Sequence, residues 1–185
     1  MTRHILITIA GAVALGALAT GAAMSAQDRY ALKVPGGLAF SEFKGYETWQ
    51  TISVSNNAGI LAVILGNPTM IEAYKAGIPG NGKPFPDGAK MAKIHWTAKK
   101  NETAPGQPLV AGTLHDIDFM VKDGKRFADS GGWGYGAFEY DAASDGFRPG
   151  NTTDQPPQGN DAKCGAACHT AAKSRDFVFT EFPKR

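Results

Sequence analysis

Two β-branched-rich runs, Trp49 to Ser55 (WQTISVS) and Gly59 to Leu65 (GILAVIL), are separated by Asn56-Asn57-Ala58 and predict two strands joined as a hairpin. Pro68 to Ala76 (PTMIEAYKA) predicts a short helix, with Asn67 as cap, Pro68 in the first helical position and Gly77 as the stop. Gly80 to Gly88 (GNGKPFPDG) is dense in turn residues and predicts a loop. Ala89 to Trp96 (AKMAKIHW) predicts a third strand. Its period-two alternation puts Met91, Lys93 and His95 on one face, and Lys90, Ala92, Ile94 and Trp96 on the other. A polar loop, Thr97 to Pro108, follows. Leu109 to Val121 (LVAGTLHDIDFMV) and Trp133 to Tyr140 (WGYGAFEY) predict two more strands, separated by a charged turn or short helix around Lys122 to Phe127. Ser144 to Lys163, rich in Gly, Pro, Asn, Asp and Gln, predicts a long covering loop. Cys164 to Lys173 has helical spacing, and Phe177 to Phe182 (FVFTEF) predicts a closing strand. The mixed lead-in, Gln27 to Gly45, is expected to wrap the surface. The pattern as a whole predicts an α+β fold, mainly antiparallel β-sheet with a few short helices and no internal repeat.

The first stretch of the chain stands apart from this pattern. Arg3 supplies a positive start, Ile5 to Ala19 is an uncharged apolar run, and small residues follow, with cleavage expected after Ala23 or Ala26. A retained membrane anchor is the competing reading. The Ala and Gly content and the small-residue exit favour a cleaved secretory signal peptide over residues 1–26, leaving residues 27–185 as one domain. Export places that domain in a bacterial periplasm. Hydrophobic residues make up 43% of the 185 and charged residues 19%, enough for a packed core. A formal net charge of +2 excludes a protein that works by neutralising nucleic-acid phosphates. The 23 glycines and 11 prolines argue against a helical bundle. No Ser-His-Asp set, phosphate loop or basic stripe stands out.

The chemistry concentrates in Cys164-Gly165-Ala166-Ala167-Cys168-His169. The usual haem c attachment signature is C-x-x-C-H, in which two thiols bond the haem vinyl groups and the next histidine ligates iron. Here three residues separate the cysteines, a rarer spacing, and all three are small enough to press against a porphyrin face. The alternatives are a local disulfide, awkward between i and i+4 of a helix, or a zinc site completed by His95 or His115. The adjacent histidine and the export signal favour haem c, one per chain, with His169 as the proximal iron ligand.

Several segments together resemble the cytochrome P460 family, to which the β-sheet cytochromes c′ are related. They are Gly82 to Gly88 (GKPFPDG) leading to Lys93, Val121 to Ala128 (VKDGKRFA), Trp133 to Tyr140, and Cys164 to His169 followed by Asp176 to Thr180 (DFVFT). The resemblance implies a mostly antiparallel β fold with haem c attached near the C-terminus, a homodimer, and one five-coordinate haem per subunit. It implies a covalent cross-link from a lysine to the porphyrin. Lys93 matches that lysine, with Lys90 the near alternative on the opposite face. It also implies an acidic distal residue that assists proton transfer, matched by Asp118 where the family has Glu. A distal arginine of the family falls in the apolar segment Gly59 to Leu65, with Leu61 at the approximate match.

Two functions follow from the resemblance. One is oxidation of hydroxylamine, with nitric oxide chemistry, using His169, Lys93 and Asp118 and passing electrons to a periplasmic electron-transfer partner. The other is non-enzymatic nitric oxide binding in an apolar distal pocket lined by Phe85, Phe119, Trp133 and Phe138. A third reading, simple electron transfer, takes Met91 or Met120 as sixth iron ligand.

Overall fold

A computed structural model describes residues 28–35, 38–150 and 165–185. The expected signal peptide (1–26), Cys164 and most of the expected covering loop lie outside the described residues. Six strands form one antiparallel sheet in sequence order: β1 (Gln50–Asn57), β2 (Ile60–Gly66), β3 (Lys90–Lys100), β4 (Leu109–Lys122), β5 (Trp133–Asp141) and β6 (Gly146–Pro149). The β1–β2 hairpin turns through Ala58 (φ 49°) and Gly59 (φ 84°), two left-handed residues in succession. That geometry matches the right-handed twist of the flanking strands. Helix α1 (Pro68–Lys75) begins as expected: Asn67 Oδ1 accepts from Met70 N at 3.0 Å and also from Lys90 N at 3.0 Å, tying the helix start to β3.

Both faces of the sheet are covered, and alternation sorts the strand residues between them. One face carries Ile52, Ile64, Met91, Met120, Trp133 and Tyr135, packed under α1 and the C-terminal segment. The other carries Leu65, Ala92, Ile117, Phe119, Val121 and Phe138. The lead-in covers this second face. Contrary to the expectation of a surface wrap, Leu38, Phe40 and Phe43 are fully buried, and the Phe43 ring stacks on Phe119 at 4.1 Å. Their burial stabilises by roughly 1.5–3 kcal/mol per side chain. Two β5 glycines face this core for a steric reason: a Cβ on Gly134 would lie 2.4 Å from the Phe127 ring, and one on Gly136 would lie 2.9 Å from Leu38.

Three other expectations change. Strand β3 continues to Lys100, into the segment read as a polar loop, because β4 pairs with it as far as Lys100↔Leu109. The start of the expected covering loop is strand β6. Asp145 (φ 49°) turns the chain, Phe147 packs on Phe40 and Tyr140, and Pro149 is tolerated because β6 is an edge strand. Phe177 to Phe182 is not a strand. Its backbone meets side chains instead of a ladder, with Thr180 O accepting from Tyr74 Oη at 2.9 Å.

The C-terminal segment comprises α2 (Ala166–His169), a 3-10 continuation (Thr170–Arg175), and a reversal at Asp176 (φ 49°) and Phe177 (φ 63°). Two successive left-handed non-glycine residues are costly and must be held from outside. Asp176 does the holding: Oδ1 accepts from Lys122 Nζ at 2.7 Å and Oδ2 from Phe85 N at 2.8 Å. Lys122 also donates to Gly131 O at 3.0 Å, and its side chain is only 8% exposed. Removing one partner of a buried pair leaves an uncompensated charge. Lys122→Met should therefore destabilise the fold by about 3–5 kcal/mol in urea unfolding. A loss under about 1 kcal/mol, the size for a surface pair, would show that the pair does not hold the reversal.

Candidate functional site

Between the first sheet face and the C-terminal segment lies a cavity of about 520 Å³. Strands β1 to β5 supply one wall, including Ile64, Met91, Lys93, Asp118, Met120 and Tyr135. The C-terminal segment supplies the other, including Cys168, His169, Val178 and Phe179. Val54 and Phe179, both more than half exposed, flank it as exposed apolar residues. The size falls within the roughly 300–1,000 Å³ of sites that bury an organic cofactor.

His169 is oriented by the reversal. Its Nδ1 lies 2.6 Å from Phe177 O, an atom that only accepts, so Nδ1 carries the proton. Nε2 is left as the nitrogen with a free lone pair, the arrangement that prepares histidine to ligate a metal. The ring is packed by Tyr135 and Phe179, with centroids 5.0 and 5.1 Å away. Burial lowers the imidazole pKa, the Phe177 hydrogen bond opposes this, and the charge of Lys93 lowers it further; the net shift is down. The neutral ring is the form that binds iron. Cys168, one residue before, is exposed and borders the same cavity.

On the sheet wall, Lys93 and Asp118 are direct partners across β3 and β4, and both line the cavity. Lys90 is settled on the other side of the sheet, where its Nζ donates to Glu42 O at 2.6 Å. Beside Asp118, His95 pairs with Asp116, and His95 Nδ1 lies 3.9 Å from Asp118 Oδ2. A β-bulge explains the next contact. His95 faces Asp116 but Trp96 faces Leu114, so His115 is the residue left over, and its Nδ1 lies 2.9 Å from Asp116 Oδ2. Burial pushes the Asp118 carboxyl up from 3.8 to about 6, and the neighbouring Asp116 adds to the rise; His95, Lys93 and His115 pull it back. Burial would also raise Asp116, but hydrogen bonds and positive charge from His95 and His115 hold it below its usual value.

The structure thus brings Lys93, Asp118, Cys168 and His169 to one cavity, while Cys164 falls outside the described residues. The expected aromatic lining is absent from the described wall. Phe119 borders the cavity, but its ring belongs to the opposite core; Phe138 lies in that core too, and Phe85 and Trp133 pack beside each other away from the opening. Tyr135 and Phe179 are the rings that line it. Leu61 faces the opposite side from Ile64, which is the β2 residue in the wall. The role of the Phe177 carbonyl was not legible in the sequence, because it depends on a left-handed backbone that no residue type there announces.

A β-sheet protein with an apolar cavity, a lone-pair imidazole nitrogen and an adjacent cysteine on its wall fits a haem. The cytochrome P460 family model matches residues 43–180, and the chain belongs to that family. The family carries a haem cofactor, and the cavity, Cys168 and His169 fit it. No curated protein matches the chain significantly.

The raised Asp118 pKa has a consequence for stability. The folded state binds this proton more tightly than the unfolded chain does, so stability falls as pH rises from 3.8 towards about 6. Asp118→Asn removes that loss. The melting temperature of the variant relative to wild type should rise between pH 4 and 7; a constant difference would contradict the shift.

Proposed function

We propose that the chain is an exported, periplasmic mono-haem c protein of cytochrome P460 type that oxidises hydroxylamine, with nitric oxide chemistry, at a five-coordinate haem cross-linked to Lys93. The observation that carries this reading is the placement of Lys93 opposite Asp118 in the cavity that His169 lines. Haem, when bound, supplies an iron that coordinates the substrate and passes electrons on towards a periplasmic electron-transfer partner. Cys164 and Cys168 would hold it through thioether bonds and His169 through Nε2. The Phe177 carbonyl fixes the tautomer and direction of that ring. Lys93 would tie down the macrocycle from the sheet wall. Asp118, with a carboxyl near 6, is a carboxylate at neutral pH that accepts a proton from bound substrate. Val178, Ile64 and Met120 keep bulk water from the rest of the wall. A homodimer is part of the proposal and rests on the family resemblance.

The apolar part of the wall, Ile64, Met91 and Met120, favours a second reading, nitric oxide binding without turnover in the manner of the β-sheet cytochromes c′. Peptide mass spectrometry and an optical spectrum of the haem-loaded protein separate the two. The expected result is a haem-bearing peptide that also contains Lys93, a red-shifted haem band, and loss of hydroxylamine turnover in Lys93→Ala. An unmodified Lys93 with no turnover would leave nitric oxide binding, and a low-spin spectrum with methionine ligation would overturn both readings. Asp118→Asn should lower turnover by about 100-fold or more, the usual contribution of a general base.

A further inference from the structure

Four ionisable side chains run from the cavity to the surface of the sheet. Asp118 lines the cavity, with its side chain 20% exposed. His95 Nδ1 lies 3.9 Å from Asp118 Oδ2 and in direct contact with Asp116 Oδ1. The second oxygen of Asp116, Oδ2, lies 2.9 Å from His115 Nδ1. Outward from His95 exposure rises, from 11% at its side chain to 23% at Asp116 and 55% at His115. His95 and Asp116 each have a neighbour on both sides, Asp118 faces the cavity, and His115 opens to water.

We infer that His95, Asp116 and His115 form a proton path that connects Asp118 to solvent. The inference rests on the hydroxylamine oxidation proposed above and deepens it. Joining two hydroxylamine molecules into nitrous oxide and water releases four protons and four electrons. A bound haem would carry those electrons away, so the protons need an exit of their own. Asp118 takes a proton from substrate N–H or O–H and passes it to His95 Nδ1, which regenerates the carboxylate. Turning the ring releases Nδ1 from Asp116 and closes that gap to charge-assisted hydrogen-bond length, about 2.7–2.9 Å; the ring then swings back. The proton then moves from His95 Nδ1 to Asp116 Oδ1. The carboxyl turns about its Cβ–Cγ bond to bring the protonated oxygen to His115 Nδ1, and His115, protonated there, gives the proton on its Nε2 to water.

The surroundings suit the task. Lys93 is the other charged group facing Asp118 from β3, and its uncharged β5 partner is Ala137. Glu139, opposite Asp116 on β5, is engaged by Arg148 at 2.6 Å and does not compete for the histidines. The β-bulge is what completes the series. Without the extra residue in β4, strict alternation would turn His115 away from Asp116.

The test compares haem-loaded wild type with His95→Gln and His115→Gln. Three quantities are read: steady-state hydroxylamine turnover, its solvent deuterium isotope effect, and the rate at which Asp118 changes protonation after a pH jump. The last follows a carboxyl infrared band identified by its loss in Asp118→Asn. The expected result is a fall in turnover on the order of ten-fold, part of what a general base contributes, with a larger isotope effect and a slower Asp118 response. Free imidazole should restore part of the loss in His95→Gln. Unchanged turnover and an unchanged Asp118 rate in both variants would overturn the path. If the wild type does not oxidise hydroxylamine, the proposed function fails by itself. The Asp118 rate then decides the path, and an unslowed rate sinks it. His115→Gln alters an exposed bulge and keeps the test available if His95→Gln does not fold.

Discussion

The buried contact between Lys122 and Asp176 is the constraint on which the site depends. Lys122 ends β4, and Asp176 begins the left-handed reversal that follows the histidine segment. Around this pair four stretches of chain meet. Phe85 N donates to Asp176, Gly131 O accepts from Lys122, and Trp133 lies under the lysine, with Nζ 5.1 Å from the ring centroid. Together these contacts hold the reversal in place. Phe177 O is then aimed at His169, and the imidazole presents one nitrogen for coordination. Phe85 and Gly131 do not line the cavity; they brace the segment that carries His169 to it.

The sheet acts as a partition. Because side chains alternate, strands β2 to β5 each serve an aromatic core on one face and the cavity on the other. Phe119 shows the consequence: its neighbours Asp118 and Met120 line the cavity while its own ring stacks on Phe43. The aromatic weight lies behind the cavity, and the cavity wall is left to shorter apolar side chains plus two charged ones. Lys93 and Asp118 sit half-buried in that wall. This is why the carboxyl is pushed up rather than down despite a lysine opposite it: burial and Asp116 outweigh the favourable charges.

The same partition explains the chain of acids and imidazoles. His95 and Asp116 are one alternation step beyond Lys93 and Asp118 on the same face. A regular ladder would stop there, with the next residue turned to the other side. The bulge shifts the phase and returns His115 to the series, linking the His95–Asp116 contact to water. The local irregularity and the proposed exit of protons share one physical origin.

Much of this was legible in the sequence because it is local. Period-two alternation placed Met91, Lys93 and His95 on one face before any partner strand was known. The cysteine-histidine run marked the second wall, and Asn67, Pro68 and Gly77 bounded α1. What pairs across space was not legible. Neither the opposition of Lys93 and Asp118 nor the leftover His115 follows from one strand read alone, since register is a property of two. The lead-in carries no periodicity, so its burial was decided by the open aromatic face it found to cover. FVFTEF has the alternation of a strand, yet the anchor at Asp176 turned it away from the sheet and made its first carbonyl the partner of His169. Side-chain pattern sets which face a residue occupies; only the packed chain decides what stands opposite.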